Sequence, residues 1–305
     1  MDNYIYPVDY EIMQDFAKKH PIFRLDAPSL EDISFFHQKG YIAYPGIFTD
    51  EGQKGFMEEI LAWQPMREHF AKTELQRSKR EKTDDFNWRN WDDKGPWSDQ
   101  LIDALFVTAA LKEIIGNDFH FCHSTLHIAF RGAAAIPFHQ DHHHWKHDHP
   151  INLAERDKYY IQMLYYPTGF KQGDRSISVI SGSSRVAPTK EVTPDKLIAG
   201  EYDDEAGCQL KVVDFDLPPG SMVLINARTF HAVAPKPLDS PQEYRMFVNY
   251  IFKEAGPPHR FTQPIPPKWI RCASPARKKL LQRDHWTEDC WLSEKSDHNF
   301  ANSLA

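Results

Sequence analysis

His139 and Asp141 stand two residues apart in ProPheHisGlnAspHisHisHisTrp (137–145), and His231 closes the segment ProProGlySerMetValLeuIleAsnAlaArgThrPheHis (218–231). In a β-strand residues i and i+2 project to the same side, so a histidine and an aspartate at that spacing can approach one ion together while Gln140 faces away. A pair of this kind is common by chance in a chain with 16 histidines, six of them within 138–149, and means little without a third ligand. His231 supplies that ligand, at the far end of an apolar strand that follows a turn. Two imidazoles and one carboxylate on one face of an octahedron leave three adjacent positions open. That is the arrangement a non-haem iron(II) oxygenase needs for co-substrate and dioxygen. The same groups could hold zinc tetrahedrally with one water, as in a hydrolase.

Arg245 weighs toward iron. It lies 14 positions after His231 in ArgMetPheValAsnTyr, an alternating segment that reads as the next strand at a hairpin's distance. A guanidinium is a planar fork that matches a carboxylate bidentately, so a buried arginine beside the metal is what anchoring the far carboxylate of 2-oxoglutarate would require. The plain alternative is an edge-strand arginine facing water.

The elements that must position these groups are marked by punctuation. Short apolar or alternating runs near 120–130, 158–166, 176–180, 209–215, 221–226 and 243–252 are separated by Gly, Pro and Asp clusters. Their uneven spacing without an internal repeat disfavours a propeller or solenoid and leaves a jelly roll. Upstream, Ser29 and Asp32 form a capping box for a helix that stops at Gly40, residues 41–48 read as a strand, and Thr49 caps a second helix. Residues 72–100, charged and carrying Trp88, Trp91 and Trp97, read as a long loop, and a third helix is expected over 100–115. The expectation is one mainly β domain with flanking helices: a helical part over 1–118, a jelly-roll (double-stranded β-helix) core over about 119–255, and an extension over 256–305. That extension holds a short helix at 276–281, and its last dozen residues are expected to be disordered.

Composition narrows the partners. The chain has 305 residues, 41% of them hydrophobic, and a net charge of -7, which would attract neither nucleic acid nor an anionic membrane. No secretory core or bilayer-length apolar run is present, and Cys122, Cys208, Cys272 and Cys290 are scattered without a CxxC pair. A soluble, cytoplasmic protein acting on a small molecule is expected.

With those residues in place, the chain resembles the phytanoyl-CoA dioxygenase-like family of 2-oxoglutarate oxygenases, which includes ectoine hydroxylase and many natural-product tailoring enzymes. The resemblance runs through GlyTyrIleAlaTyrProGlyIlePhe (40–48), ProPheHisGlnAspHisHisHisTrp (137–145), SerIleSerValIleSerGlySerSer (176–184) and the segment ending at His231. It implies Fe(2+), 2-oxoglutarate and O2 as cofactor and co-substrates, His139, Asp141 and His231 as iron ligands, and Arg245 as the co-substrate anchor. It further implies 2-oxoglutarate contacts from His127 and Gln140, and substrate contacts from His123 and Trp145. His142 would at most line the mouth of the site, and Trp88, with Trp91 and Trp97, could form an aromatic lid. The plainer reading of each is a satisfied polar group or a packed loop. Three departures bear on 2-oxoglutarate binding: Ser184 stands where the family often has His, Val233 where it often has Ser, and the loop between His231 and Arg245 is longer than usual. Because related halogenases place chloride where Asp141 stands, the carboxylate favours hydroxylation, or desaturation, cyclisation or epoxidation. No Lys/Arg cluster marks a coenzyme A site, so a free metabolite is favoured over a thioester. Two rival readings remain: a cupin-like hydrolase or isomerase using zinc or manganese without 2-oxoglutarate, and a His-rich metal-sequestering surface.

Overall fold

The computed structural model describes residues 10–71, 86–89, 91, 94–141, 160–254 and 273–281. Among these residues ten strands form two antiparallel sheets. The major sheet takes β1 (Tyr41–Tyr44), β2 (Phe86–Arg89), β3 (Phe119–Phe130), β5 (Ile161–Tyr166), β8 (Ser221–Asn226) and β10 (Tyr244–Glu254) in the order β1-β8-β5-β10-β3-β2. The minor sheet takes β4 (Ile136–His139), β6 (Ile177–Ser181), β7 (Lys211–Asp214) and β9 (His231–Val233) in the order β4-β9-β6-β7.

Period-two alternation assigns each face of the major sheet. On β10, Met246, Val248, Tyr250 and Phe252 turn outward into a large core with Leu126, Tyr165 and Leu224. That core is completed by helices α2 (Leu30–Lys39), α3 (Asp50–Ala62), α5 (Pro96–Asp103) and α6 (Leu105–Ile114). The alternate residues, among them Leu164, Tyr166, Val223 and Phe247, turn inward and meet Ile177 and Val179 of the minor sheet. The jelly roll is therefore apolar behind its major sheet and over part of the space between its sheets, while β3 and β10 also turn polar residues inward. Outside the minor sheet, Phe138, Ile180 and Phe230 are covered by the segment holding α7 (Pro194–Ile198) and α8 (Asp203–Ala206).

β1, expected as a strand over 41–48, pairs with β8, and β2 pairs with β3 inside the segment read as a loop. The first strand is also shorter than expected, ending at Tyr44. The helix expected over 100–115 is two helices, α5 and α6, broken at Ala104 (φ -50, ψ 150). Its polar stripe, Asp99 and Asp103, binds Arg277 of the C-terminal helix α9 (Pro275–Leu281), whereas the stripe of α6 is apolar and packs into the core. Turning at Ala104 separates the two tasks.

The α2 capping box forms as read, with Ser29 and Asp32 each accepting from the other's backbone. Gly40 closes the helix at φ 78 and lies so close to Ser184 and Thr229 that a Cβ there would come within 2.4 Å of either hydroxyl. Helix α5 has no side-chain cap of its own. Glu59 of α3 supplies the acceptors, taking the Trp97 and Ser98 amides at 2.9 Å each. Helix α1 (Tyr10–Lys19) lies against α5, and the short α4 (Gln64–Phe70) follows α3. Among the described residues no helix is long and apolar enough to cross a membrane.

Candidate metal centre

β4 ends on His139, and the chain bends after it, so Asp141 lies beyond the strand. The bend, rather than the alternation of a strand, brings the carboxylate to the imidazole, with Asp141 Oδ1 3.5 Å from His139 Nε2. His231 is likewise not the end of β8. That strand stops at Asn226, a turn crosses to the other sheet, and His231 opens β9 directly opposite His139. The two rings are 4.3 Å apart, and His231 Nε2 is 3.7 Å from Asp141 Oδ2. One donor atom from each of the three residues lies within 4.8 Å of the others.

The two imidazoles are oriented by the same device. His139 Nδ1 is 2.8 Å from the Pro137 carbonyl and His231 Nδ1 is 3.1 Å from the Thr229 carbonyl, in each case two residues back along the chain. A carbonyl only accepts, so each Nδ1 carries a proton and each Nε2 is the ring atom left to face the aspartate. Burial works against charging His139, but the hydrogen bond and charge of Asp141 outweigh it and raise its pKa above the ordinary histidine value. His231 is held below that value, because burial dominates there. A cation among the three would displace the proton at His139 as partner of the carboxylate. The donor set, two neutral imidazoles and an ionised carboxylate, fits a divalent transition metal.

Two inward residues that the sequence does not single out complete this part of the site. Gln162 of β5 donates through Nε2 to Asp141 Oδ2, and Asn249 of β10 donates through Nδ2 to Gln162 Oε1 at 2.7 Å. Only their inward parity on expected strands could have pointed to them.

Arg245 begins the inward row of β10, which continues through Phe247 and Asn249. It is 2% exposed, its Nε donates to the Arg175 carbonyl at 3.1 Å, and its guanidinium lies 4.6 Å from the Phe247 ring centre. The alternative of an edge-strand arginine facing water does not hold, since the side chain is buried and β10 lies between β3 and β5 in the sheet, with β5 pairing it from Val248 onward. Nor is β10 the hairpin partner of β9, because the two strands belong to different sheets. The long loop between them is fastened from inside: buried Lys236 and Ser240 both bind Asp174. Arg175, next to Asp174, is the one non-glycine residue with positive φ among those described, at 55°.

The other expected residues divide. His127 opposes Phe247 in the ladder and stacks on it at 4.4 Å, and His123 opposes Ile251, so both belong to the inward face. Gln140 donates to the Arg228 carbonyl. Trp88 does not cover the site: it opposes Leu126, whose side chain joins the outer core, and packs edge-on against Trp63 at 4.6 Å. Trp91 is wholly buried in that same core and Trp97 packs beside Phe16, so these three indoles serve the helical side rather than a lid. Trp145 and His142, with the remaining histidines of the cluster, lie outside the described residues, as does the chain's terminal stretch. Ser184 is buried beneath Gly40, and Val233 pairs with Ile136 and Ile177. A cavity of about 360 Å³ adjoins His139, walled by Phe138, Val186, Val192 and Phe230 with Gln140 and Lys190 among its polar groups.

Two antiparallel sheets in a jelly roll, with two imidazoles and a carboxylate converging between neighbouring strand ends, define the class: the cupin-like fold of the 2-oxoglutarate-dependent oxygenases. The phytanoyl-CoA dioxygenase (PhyH) family model matches residues 36–236, and the chain belongs to that family. Among solved structures, the chain is similar to the non-haem alpha-ketoglutarate-dependent carbocyclase SnoK from nogalamycin biosynthesis, at TM-score 0.53 and 16% identity over 75% of this chain and 85% of that one. HygX from Streptomyces hygroscopicus, with nickel and 2-oxoglutarate bound, gives TM-score 0.53 and 14% identity over 75% and 88%. EctD from S. alaskensis, with 2-oxoglutarate and 5-hydroxyectoine, gives TM-score 0.52 and 16% identity over 77% and 80%. No curated protein matches the sequence.

Proposed function

We propose that this chain is an iron(II)- and 2-oxoglutarate-dependent dioxygenase that oxidises a small-molecule metabolite in the cytoplasm, with His139, Asp141 and His231 holding the metal. The observation that carries this reading is the common orientation of the two histidines, each Nδ1 on a backbone carbonyl and each Nε2 beside the Asp141 carboxylate. When bound, iron(II) would supply the oxidative chemistry of the class, in which one O2 converts 2-oxoglutarate to succinate and CO2 and inserts its second oxygen into a substrate C–H bond. The chain's own part is positioning. Arg245, buried at the inward start of β10, would grip the far carboxylate of 2-oxoglutarate, with His127 and Gln140 as further contacts. His123, inward on β3, would face the substrate.

SnoK acts in nogalamycin biosynthesis, and a role for this chain in natural-product tailoring is in keeping with that relation. The test is succinate release from 2-oxoglutarate by the purified protein. It should require iron(II) and be abolished in Asp141→Ala. Turnover of a substrate with zinc or manganese and without 2-oxoglutarate would replace this reading by that of a metal-dependent hydrolase or isomerase.

A further inference from the structure

The hydrogen bonds behind Asp141 have a fixed direction. An ionised carboxylate only accepts, so the group that Gln162 turns toward Asp141 must be its NH2. Its carbonyl oxygen then points away, and the side chain that meets it at 2.7 Å, Asn249, must donate through Nδ2. Asn249 Oδ1 is left at the end of the chain, buried and with no hydrogen-bond partner among the described residues. Reversing either amide would break the series, so its polarity is set at Asp141.

Both amides are deeply buried, Gln162 at 2% exposure and Asn249 at 8%. They occupy diagonal positions on neighbouring strands: Gln162 opposes Ile251, and Asn249 opposes Leu164. On the β5 and β8 side their inward neighbours are apolar, Leu164 opposite Asn249 and Ile225 opposite Gln162, whereas on the β3 side Asn249 opposes Thr125, between His123 and His127. Methionine and leucine have nearly the same shapes and would fill these positions without burying two side-chain amides, one with an unsatisfied oxygen. Packing on the apolar side does not call for them, whereas the series of hydrogen bonds that ends on Asp141 does.

We propose that Gln162 and Asn249 are positioning residues for Asp141: by holding Oδ2 they turn the carboxylate so that Oδ1 alone is offered to the metal. A carboxylate so held takes one coordination position instead of two and leaves the others to co-substrate and dioxygen. Asn249 acts only through Gln162. The inference rests on the metal-site reading above.

The test is calorimetric titration of the full-length protein with nickel(II), alongside thermal melting. Gln162→Met should weaken nickel binding by about 10- to 100-fold, the usual effect of losing a group that orients a ligand. Melting should move by no more than a few degrees. Asn249→Leu should weaken binding less, and the double variant should bind as Gln162→Met does, because the two residues act in series. Nickel affinity in Gln162→Met within twofold of the original chain, or additive losses in the double variant, would overturn the proposal. If Gln162→Met does not fold, Asn249→Leu decides the matter alone, and unchanged affinity in it has the same consequence. Failure of the original chain to bind nickel would remove the metal-site reading and this one with it, whereas tight binding unaffected by either variant removes only this one.

Discussion

Replacing Arg245 with glutamine removes a cation that water cannot substitute, because the side chain is 2% exposed. Its Nε is committed to the Arg175 carbonyl at 3.1 Å, so the edge that can meet a carboxylate is formed by the two Nη groups. Two charge-assisted hydrogen bonds are therefore at stake, each worth about 1.5–3 kcal/mol. At about 1.4 kcal/mol per tenfold change, their loss corresponds to at least about 100-fold in 2-oxoglutarate affinity. Metal binding, which draws on other residues, should be unchanged. Arg245→Lys should recover only part of the loss: it keeps the charge but gives up both the fork and the bond to Arg175. The assay is the 2-oxoglutarate KM for succinate release, read beside nickel affinity in the same variant. A KM within threefold of the original chain, with metal binding intact, would refute the reasoning that places the co-substrate on this arginine.

Other consequences concern stability and its dependence on pH. Arg277 is buried between Asp99 and Asp103, with contacts of 2.6 and 2.5 Å, so Arg277→Ala strands two acids and should cost about 3–5 kcal/mol in urea unfolding. A loss below about 1 kcal/mol would show the pair to be solvated. Gly40→Ala forces a side chain into left-handed backbone and within 2.4 Å of two hydroxyls, and should lower stability by about 1–3 kcal/mol in the same assay. Glu59 is pushed up to about 7 by burial, against the donors of Ser98 and Trp97. The folded state thus holds this proton more tightly than the unfolded chain, whose value is 4.5. Its contribution is present in full below about pH 4.5 and is lost as the pH rises through about 7. Melting curves of the original chain and Glu59→Gln should diverge over that interval, with the original falling relative to the variant. Parallel curves would contradict this.

What the sequence made legible follows from which signals are local. Period-two runs located β3, β5, β6, β7, β8 and β10 within a few residues, and chemically marked helix ends located α2 and the start of α3. β2 was not legible, because four residues amid charge carry no period and gain strand geometry only by pairing with β3. The break at Ala104 was missed for a similar reason: it answers to Arg277, some 170 positions away in sequence. At the site, residue type and order were enough to bring His139, Asp141, His231 and Arg245 forward. The crossings between sheets that assemble them were not foreseen. Gln162 and Asn249 stayed hidden because an amide on an expected strand carries no distinguishing pattern until its neighbours are known. The tryptophans misled in the opposite direction, since aromatic clustering in sequence does not tell which face of a sheet the rings will pack on.

The central claim is a single iron site that takes 2-oxoglutarate, and anaerobic titration of the protein with iron(II) followed by 2-oxoglutarate tests it most directly. One iron per chain should bind, and 2-oxoglutarate should then raise the weak visible charge-transfer band of the metal chelate, which His139→Ala should abolish. Binding of several ions per chain with no such band, unchanged in His139→Ala, would contradict the account.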